Sequence, residues 1–239
     1  MIRHGTLRWI VGAFTLMVLL SMGCTPALVS GTSAVPTSAN TVKLFDAAQV
    51  IQDQWQHLVF RGTTDYSLVV MDGQIAIQAT ANGSASALIR SVVVDSVQCP
   101  EVEWSWMVTE IQPDADIRVK QKEDVAASLF LLFGDPGFLF EANPVPTLRY
   151  VWTNDRVQPE SVIDNPYLPG IVRSIVVRCG DQEAGRWMTE RRDVVADYQR
   201  AFGRAPESPI QAVAIFTDND QTQQAATAYY GWARMYCRS

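Results

Sequence analysis

Two carboxylates stand one residue apart in the segment Thr217-Asp-Asn-Asp-Gln-Thr222. Asp218 and Asp220, together with the oxygens of Asn219 and Thr222, offer the donors that a hard cation such as Ca2+ takes. The segment lacks the glycine and the further ligands of a complete calcium loop. The same residues therefore also describe a tight turn in which Asp and Asn side chains cap the backbone. A second charged group is Glu190-Arg-Arg-Asp193. Its acids suit the start of a helix, and Arg192 has Asp124 and Asp197 as candidate partners. The plainer reading, a solvated or internally paired helix face, is the favoured one; the functional alternative has Glu190, Arg192, Asp124 and Asp218 converge on one polar groove. Tryptophan supplies the remaining chemistry, because an indole face stacks on the apolar face of a sugar ring. Trp106, Trp152 and Trp187 are the candidates to line a groove, with core packing as the alternative for each.

Other chemistries are disfavoured by absence. No Gly-x-Ser-x-Gly elbow occurs, and of the two histidines, His4 and His57, a serine triad has only His57 to draw on. No phosphate-cradling glycine loop, dinucleotide fingerprint or Cys/His zinc spacing is present. The 239 residues carry 25 acids against 19 bases, a net charge of −6, so a nucleic-acid partner is not expected. Carboxylate chemistry remains. A glycosidase holds two acids roughly 5–10 Å apart across a sugar, and Glu103, Asp124, Glu190 and Asp218 are the acids that can supply them.

These residues belong to an exported domain. Arg3, His4 and Arg8 precede an apolar run from Trp9 to Met22, the layout of a secretory signal. Leu20-Ser-Met-Gly-Cys24 is similar to a bacterial lipobox, although Leu20 lies one position further from the cysteine than usual. Lipidation at Cys24 is the expectation, with plain cleavage and an uncleaved anchor as alternatives; an acylated Cys24 would hold the protein to a membrane of the cell envelope, on its periplasmic or outer surface. Removing residues 1–23 leaves 17 bases and 25 acids, a net charge of −8. Residues 24–41 carry no charge and are rich in Ser, Thr, Ala and Pro, which reads as a flexible tether. A single domain is expected over 42–239. Cys99, Cys179 and Cys237 then form an odd set whose pairing stays open.

The domain reads as mainly β, an antiparallel β-sandwich or jelly roll with one short α-helix in its C-terminal half. Period-two runs occur at 66–70, 75–79, 102–108 and 148–152, a short continuous apolar run at 128–133, and further strand-like runs at 171–177, 210–216 and 226–236. Asp72-Gly73, Asn82-Gly83 and Pro169-Gly170 punctuate them. From Glu190 to Phe202, Val194, Tyr198 and Phe202 recur at helical spacing, and Gly203 supplies a stop. A weaker helical pattern lies near Phe45–Trp55.

Several segments in order carry a resemblance: Trp104-Ser-Trp106, Lys120 through Phe133, Leu148-Arg-Tyr-Val-Trp152, Trp187 through Gly203, Thr217 through Thr222, and Ala228-x-Tyr-Gly231. Together they resemble a bacterial secreted family known only as domain of unknown function 3047. The chain departs from it at Lys122-Glu123-Asp124, where the family usually has Gly-Asp-Asp, and at Ser128, where arginine is usual. The resemblance implies a secreted location and an architecture, not a reaction. The expectation is a non-catalytic module for carbohydrate or another envelope ligand; the alternatives are a carboxylate glycoside hydrolase and a structural or protein-interaction lipoprotein.

Overall fold

Alternating apolar side chains give a strand one row to bury, and such rows set the architecture. The computed structural model describes residues 40–49, 55–137 and 144–239. Along them run β1 (Asn40–Asp46), β2 (Gln56–Arg61), β3 (Asp65–Met71), β4 (Gln74–Ala81), β5 (Ala85–Val94), β6 (Glu101–Val108), β7 (Ala127–Phe133), β8 (Thr147–Thr153), β9 (Val162–Asp164), β10 (Val172–Cys179), β11 (Met188–Asp193), α1 (Val194–Phe202), β12 (Ile210–Asp218) and β13 (Ala226–Cys237). One sheet has the order β11-β6-β13-β4-β3, with β1 also on β13; the other has the order β2-β5-β12-β7-β8-β10-β9. They form a β-sandwich whose strand pairs are antiparallel, except that β10 runs parallel to β8 after the chain has turned through β9.

The sandwich core is aromatic. Val102, Trp104, Trp106 and Val108 of β6 bury one row against Leu129, Leu131 and Phe133 of β7 and Leu148, Tyr150 and Trp152 of β8. Across the two sheets Trp104 stacks on Tyr150 with ring centres 5.0 Å apart, and Trp106 tilts against Trp152 at 6.0 Å. Such pairs add about 0.5–1.5 kcal/mol each beyond area burial.

The helix is shorter than its sequence pattern. Residues 188–193 pair with β6 in register, Glu190 opposite Trp104 and Arg192 opposite Val102. Strand pairing therefore claims the charged segment, and Asp193 becomes the N-cap, its side chain accepting from the Ala196 N–H at 2.9 Å. Gly203 ends α1 at φ +72°, a left-handed geometry that favours glycine. Tyr198 packs its ring on Phe133 at 4.5 Å, fixing α1 to the core.

The helical pattern near Phe45–Trp55 is met only in part among the described residues. Phe45 lies in β1 and only Ala47–Gln49 make a short 3-10 turn, while 50–54 lie outside the described residues. A disulfide joins Cys99 to Cys237 and ties the β5–β6 connection to the end of β13. The signal segment, Cys24 and the tether to residue 39 lie outside the described residues; Asn40 and Thr41 already belong to β1. Among the described residues no helix is long and apolar enough to cross a membrane.

Candidate functional site

The acids at the end of β12 meet the β6–β7 connection at one end of the sandwich. Asp218 is the last residue of β12, opposite Ala85 of β5. Its Oδ1 accepts from the Val125 N–H at 2.8 Å. Asp124 turns into the β12–β13 loop, where its two oxygens accept from the N–H groups of Gln221 (3.1 Å) and Thr222 (2.6 Å). Asn219 pins the same loop: its Oδ1 accepts from the Ser84 N–H, and its Nδ2 donates to the carbonyls of Ala81 and Gln224. Capping by these side chains, expected as the alternative to metal binding, is thus present. Yet capping does not use every oxygen. Asp124, Asp218 and Asp220 are all buried and each places a carboxylate oxygen within 4.8 Å of the others. Asp220 Oδ1 and Gln221 Oε1 are buried acceptors without a hydrogen-bond donor.

Burial governs the electrostatics. It raises the Asp218 carboxyl well above its ordinary value, and the neighbouring charge of Glu123 adds to the rise. Asp220 is raised by burial and then by Asp124. Glu123 is raised by burial against the opposing pull of Arg149. Arg149 is only 1% exposed, makes a direct ion pair with Glu123, and donates from Nε to Ser128 Oγ at 3.0 Å. Ser128, the departure from the resemblance, thus lies under a guanidinium supplied by the neighbouring strand. Arg61 approaches Asp220 from the surface at 3.6 Å.

An aromatic surface adjoins this charged end. On the outer face of the β2–β9 sheet, turned away from the other sheet, Phe216 holds Phe60 and Phe130 edge-on, each with ring centres 6.0 Å away. Phe60 is 60% exposed. Arg149 sits over Phe130 at 5.2 Å and near Phe216 at 5.8 Å, joining the rings to the acids. Beside it Ile89, Ala212 and Ala214 form a buried apolar cluster against which half-buried Leu58 and Leu132 pack. On the other side of the acids Tyr167, 43% exposed, donates its hydroxyl to the Lys120 carbonyl at 2.8 Å and accepts from Gln221 Nε2 at 3.0 Å.

The other residues singled out in the sequence do not join this site. Trp106 and Trp152 are 0% and 1% exposed, so neither offers a ring face to a ligand; they are core residues, as the alternative reading had it. Their N–H groups donate to Glu190 and to the Gly180 carbonyl. Glu190 also receives Arg178, which bridges to Glu183. Arg192 pairs with Asp197 and not with Asp124; Glu160 and Arg200 complete that network beside α1. Trp187 is half-buried on the outer face of the opposite sheet, against Met107 and Tyr229. The single groove of the functional alternative, with Glu190, Arg192, Asp124 and Asp218, therefore divides into separate places, and only Asp124 and Asp218 meet. Glu103 lies elsewhere again, held by Arg234 and Tyr236.

Phe60, Phe130, Phe216, Glu123, Arg149 and Tyr167 escaped the sequence reading. One signal for two of them, Phe130 and Phe216, was present: Ser128–Phe133 is a continuous apolar run and Ile210–Phe216 is interrupted only by Gln211, so both their faces meet apolar surroundings.

The fold and its site define a β-sandwich with an aromatic outer face ending in an acidic cluster. The chain belongs to the DUF3047 family of proteins of unknown function, which matches residues 53–233. Among curated proteins none matches the sequence. The structure is similar to the family 11 carbohydrate-binding module of a cellulosomal cellulase of Clostridium thermocellum, at 8% identity and a TM-score of 0.45, covering 84% of this chain and 97% of the module. It is also similar to the xyloglucanase domain of NopAA from Sinorhizobium fredii (9% identity, TM-score 0.46, 85% of this chain and 100% of the domain). A third is endoglucanase cel12A from Rhodothermus marinus (12%, 0.44, 83% and 96%). At such identities and TM-scores no ligand or activity carries over to this chain.

Proposed function

We propose that this protein is an exported, membrane-tethered β-sandwich that binds a glycan along the outer face of its β2–β9 sheet. The observation that carries the reading is the Phe60–Phe216–Phe130 cluster joined through Arg149 to the acidic end. A solvated sheet face is ordinarily polar at alternate positions; an aromatic one marks a binding surface. The exposed ring of Phe60, with Phe130 beside it, would stack on sugar rings, and Tyr167 would hydrogen-bond hydroxyls. Anchoring through Cys24 belongs to the same proposal.

Binding without hydrolysis is favoured by where the acids stand. Of the four candidates for a glycosidase pair, only Asp124 and Asp218 meet, and both are buried with oxygens already on backbone N–H groups. A second reading, a protein-interaction lipoprotein, is favoured by the burial of Trp106 and Trp152 together with the apolar outer face. A glycan array probed with the full-length chain in detergent separates them. Retention on a defined polysaccharide, lost in Phe60→Ala, supports the glycan reading. Silence across all glycans overturns it in favour of a protein partner, and loss of the bound glycan with time reassigns the site to a hydrolase.

A further inference from the structure

The acidic end of the sandwich holds more negative charge than its protein partners neutralise. Glu123, Asp124, Asp218 and Asp220 bring four carboxylates together, and the guanidinium groups facing them are those of Arg149, paired with Glu123, and Arg61, beside Asp220. Counted as ionised, the set has a surplus of two negative charges. Taking unpaired charge out of water costs several kcal/mol per ion. Such a surplus is relieved in a folded interior by protonation, toward which burial pushes Asp218 and Asp220, or by a compensating cation.

At the β12–β13 loop the orphan atoms are acceptors, while the other orphan at this end, Arg149 Nη2, belongs to the guanidinium paired with Glu123. Asp220, 6% exposed, directs a buried Oδ1 at which no donor arrives, and Gln221 Oε1 beside it is likewise without one. Both are acceptors, so what is missing is a positive or donating group. Asp124, Asp218 and Asp220 each place an oxygen within 4.8 Å of the others. That separation fits the shell of a calcium ion, whose oxygen ligands at about 2.3–2.6 Å stand up to roughly 5 Å apart across the ion. All the donors are oxygens, with no thiolate or imidazole among them, which selects a hard cation.

We propose that Asp124, Asp218 and Asp220, with Gln221 Oε1, bind one calcium ion that clamps the β6–β7 connection to the β12–β13 loop. The ion matches the surplus of two charges, and it adds to the hydrogen bonds of Asp124, Asp218 and the Asp114–Gln224 pair that join the two segments. This site stands independently of glycan binding: an ion without a glycan, or a glycan without an ion, leaves the other reading intact.

Equilibrium dialysis of the full-length chain in detergent against calcium, followed by thermal melting in calcium, magnesium and chelator, tests the site. One calcium per chain and a melting temperature that rises with calcium and falls in chelator are expected. Asp220→Asn leaves the backbone caps of Asp124 and Asp218 in place, so it should stay folded in chelator while losing at least tenfold in calcium affinity. Glu103→Gln, on the other sheet, should bind as the wild type does. No stoichiometric calcium in the wild type, or equal binding by Asp220→Asn, overturns the proposal; a stronger response to magnesium than to calcium overturns its assignment to calcium.

Discussion

Asp218 and Val125 hold each other twice: Asp218 Oδ1 accepts from the Val125 N–H at 2.8 Å, and the Asp218 N–H donates to the Val125 carbonyl at 3.3 Å. Through this exchange β12 fixes the residue that follows Asp124. Asp218→Ala strands a buried N–H, which costs about 1–3 kcal/mol. Asp218→Asn keeps an oxygen acceptor and discards a charge, so in chelator its loss should be the smaller. Urea unfolding of both variants in chelator checks the order.

The Arg149–Glu123 pair is buried on both sides. Removing one partner leaves the other charge uncompensated, and Arg149→Met should destabilise the fold by about 3–5 kcal/mol. The double variant Glu123→Leu with Arg149→Met removes both charges and should recover most of that loss. A double-mutant cycle in denaturant reads the coupling directly.

Acid should weaken the α1 network only below the ordinary carboxylate range. Hydrogen bonds from Arg192, and from Arg200, hold the Glu160 carboxyl below its ordinary 4.5. A depressed acid contributes stability above the unfolded value and loses it as pH falls through the folded one. The stability difference between wild type and Glu160→Gln should therefore be constant near neutrality and shrink below pH 4.5. Thermal melts of both proteins across that range are the check.

The Cys99–Cys237 bond spans 138 residues of sequence. Closing so long a loop limits the unfolded chain, and replacing both cysteines by serine should cost about 2–5 kcal/mol. Unfolding of that variant against the oxidised wild type measures it.

The strands were legible because their residues repeat at period two, and β6 shows where that legibility ends. The row Val102, Trp104, Trp106, Val108 is recognisably one face, but Met107 on the other face is buried too. Alternation could not say that the tryptophan row packs between the sheets. The helix was found from Val194, Tyr198 and Phe202, and misplaced at its start because Glu190-Arg-Arg-Asp193 looks like a charged first turn. Pairing with β6, a contact between distant segments, decides otherwise. The site was half visible for a similar reason. Asp218 and Asp220 lie in one short segment, whereas Asp124 reaches the Gln221 and Thr222 N–H groups from 97 and 98 positions away. Only the adjacency of β7 and β12 brings them together.

Affinity electrophoresis through gels containing a polysaccharide identified on the array tests glycan binding most directly. Wild type and Phe60→Ala would be run side by side at matched melting temperature, which the exposure of Phe60 makes attainable. Trp106→Ala serves as the contrast, since losing a buried indole should cost about 3–5 kcal/mol in stability. Retarded wild type beside unretarded Phe60→Ala is the expected result. Equal retardation of the two, or free migration of both, would contradict a glycan site on the β2–β9 sheet.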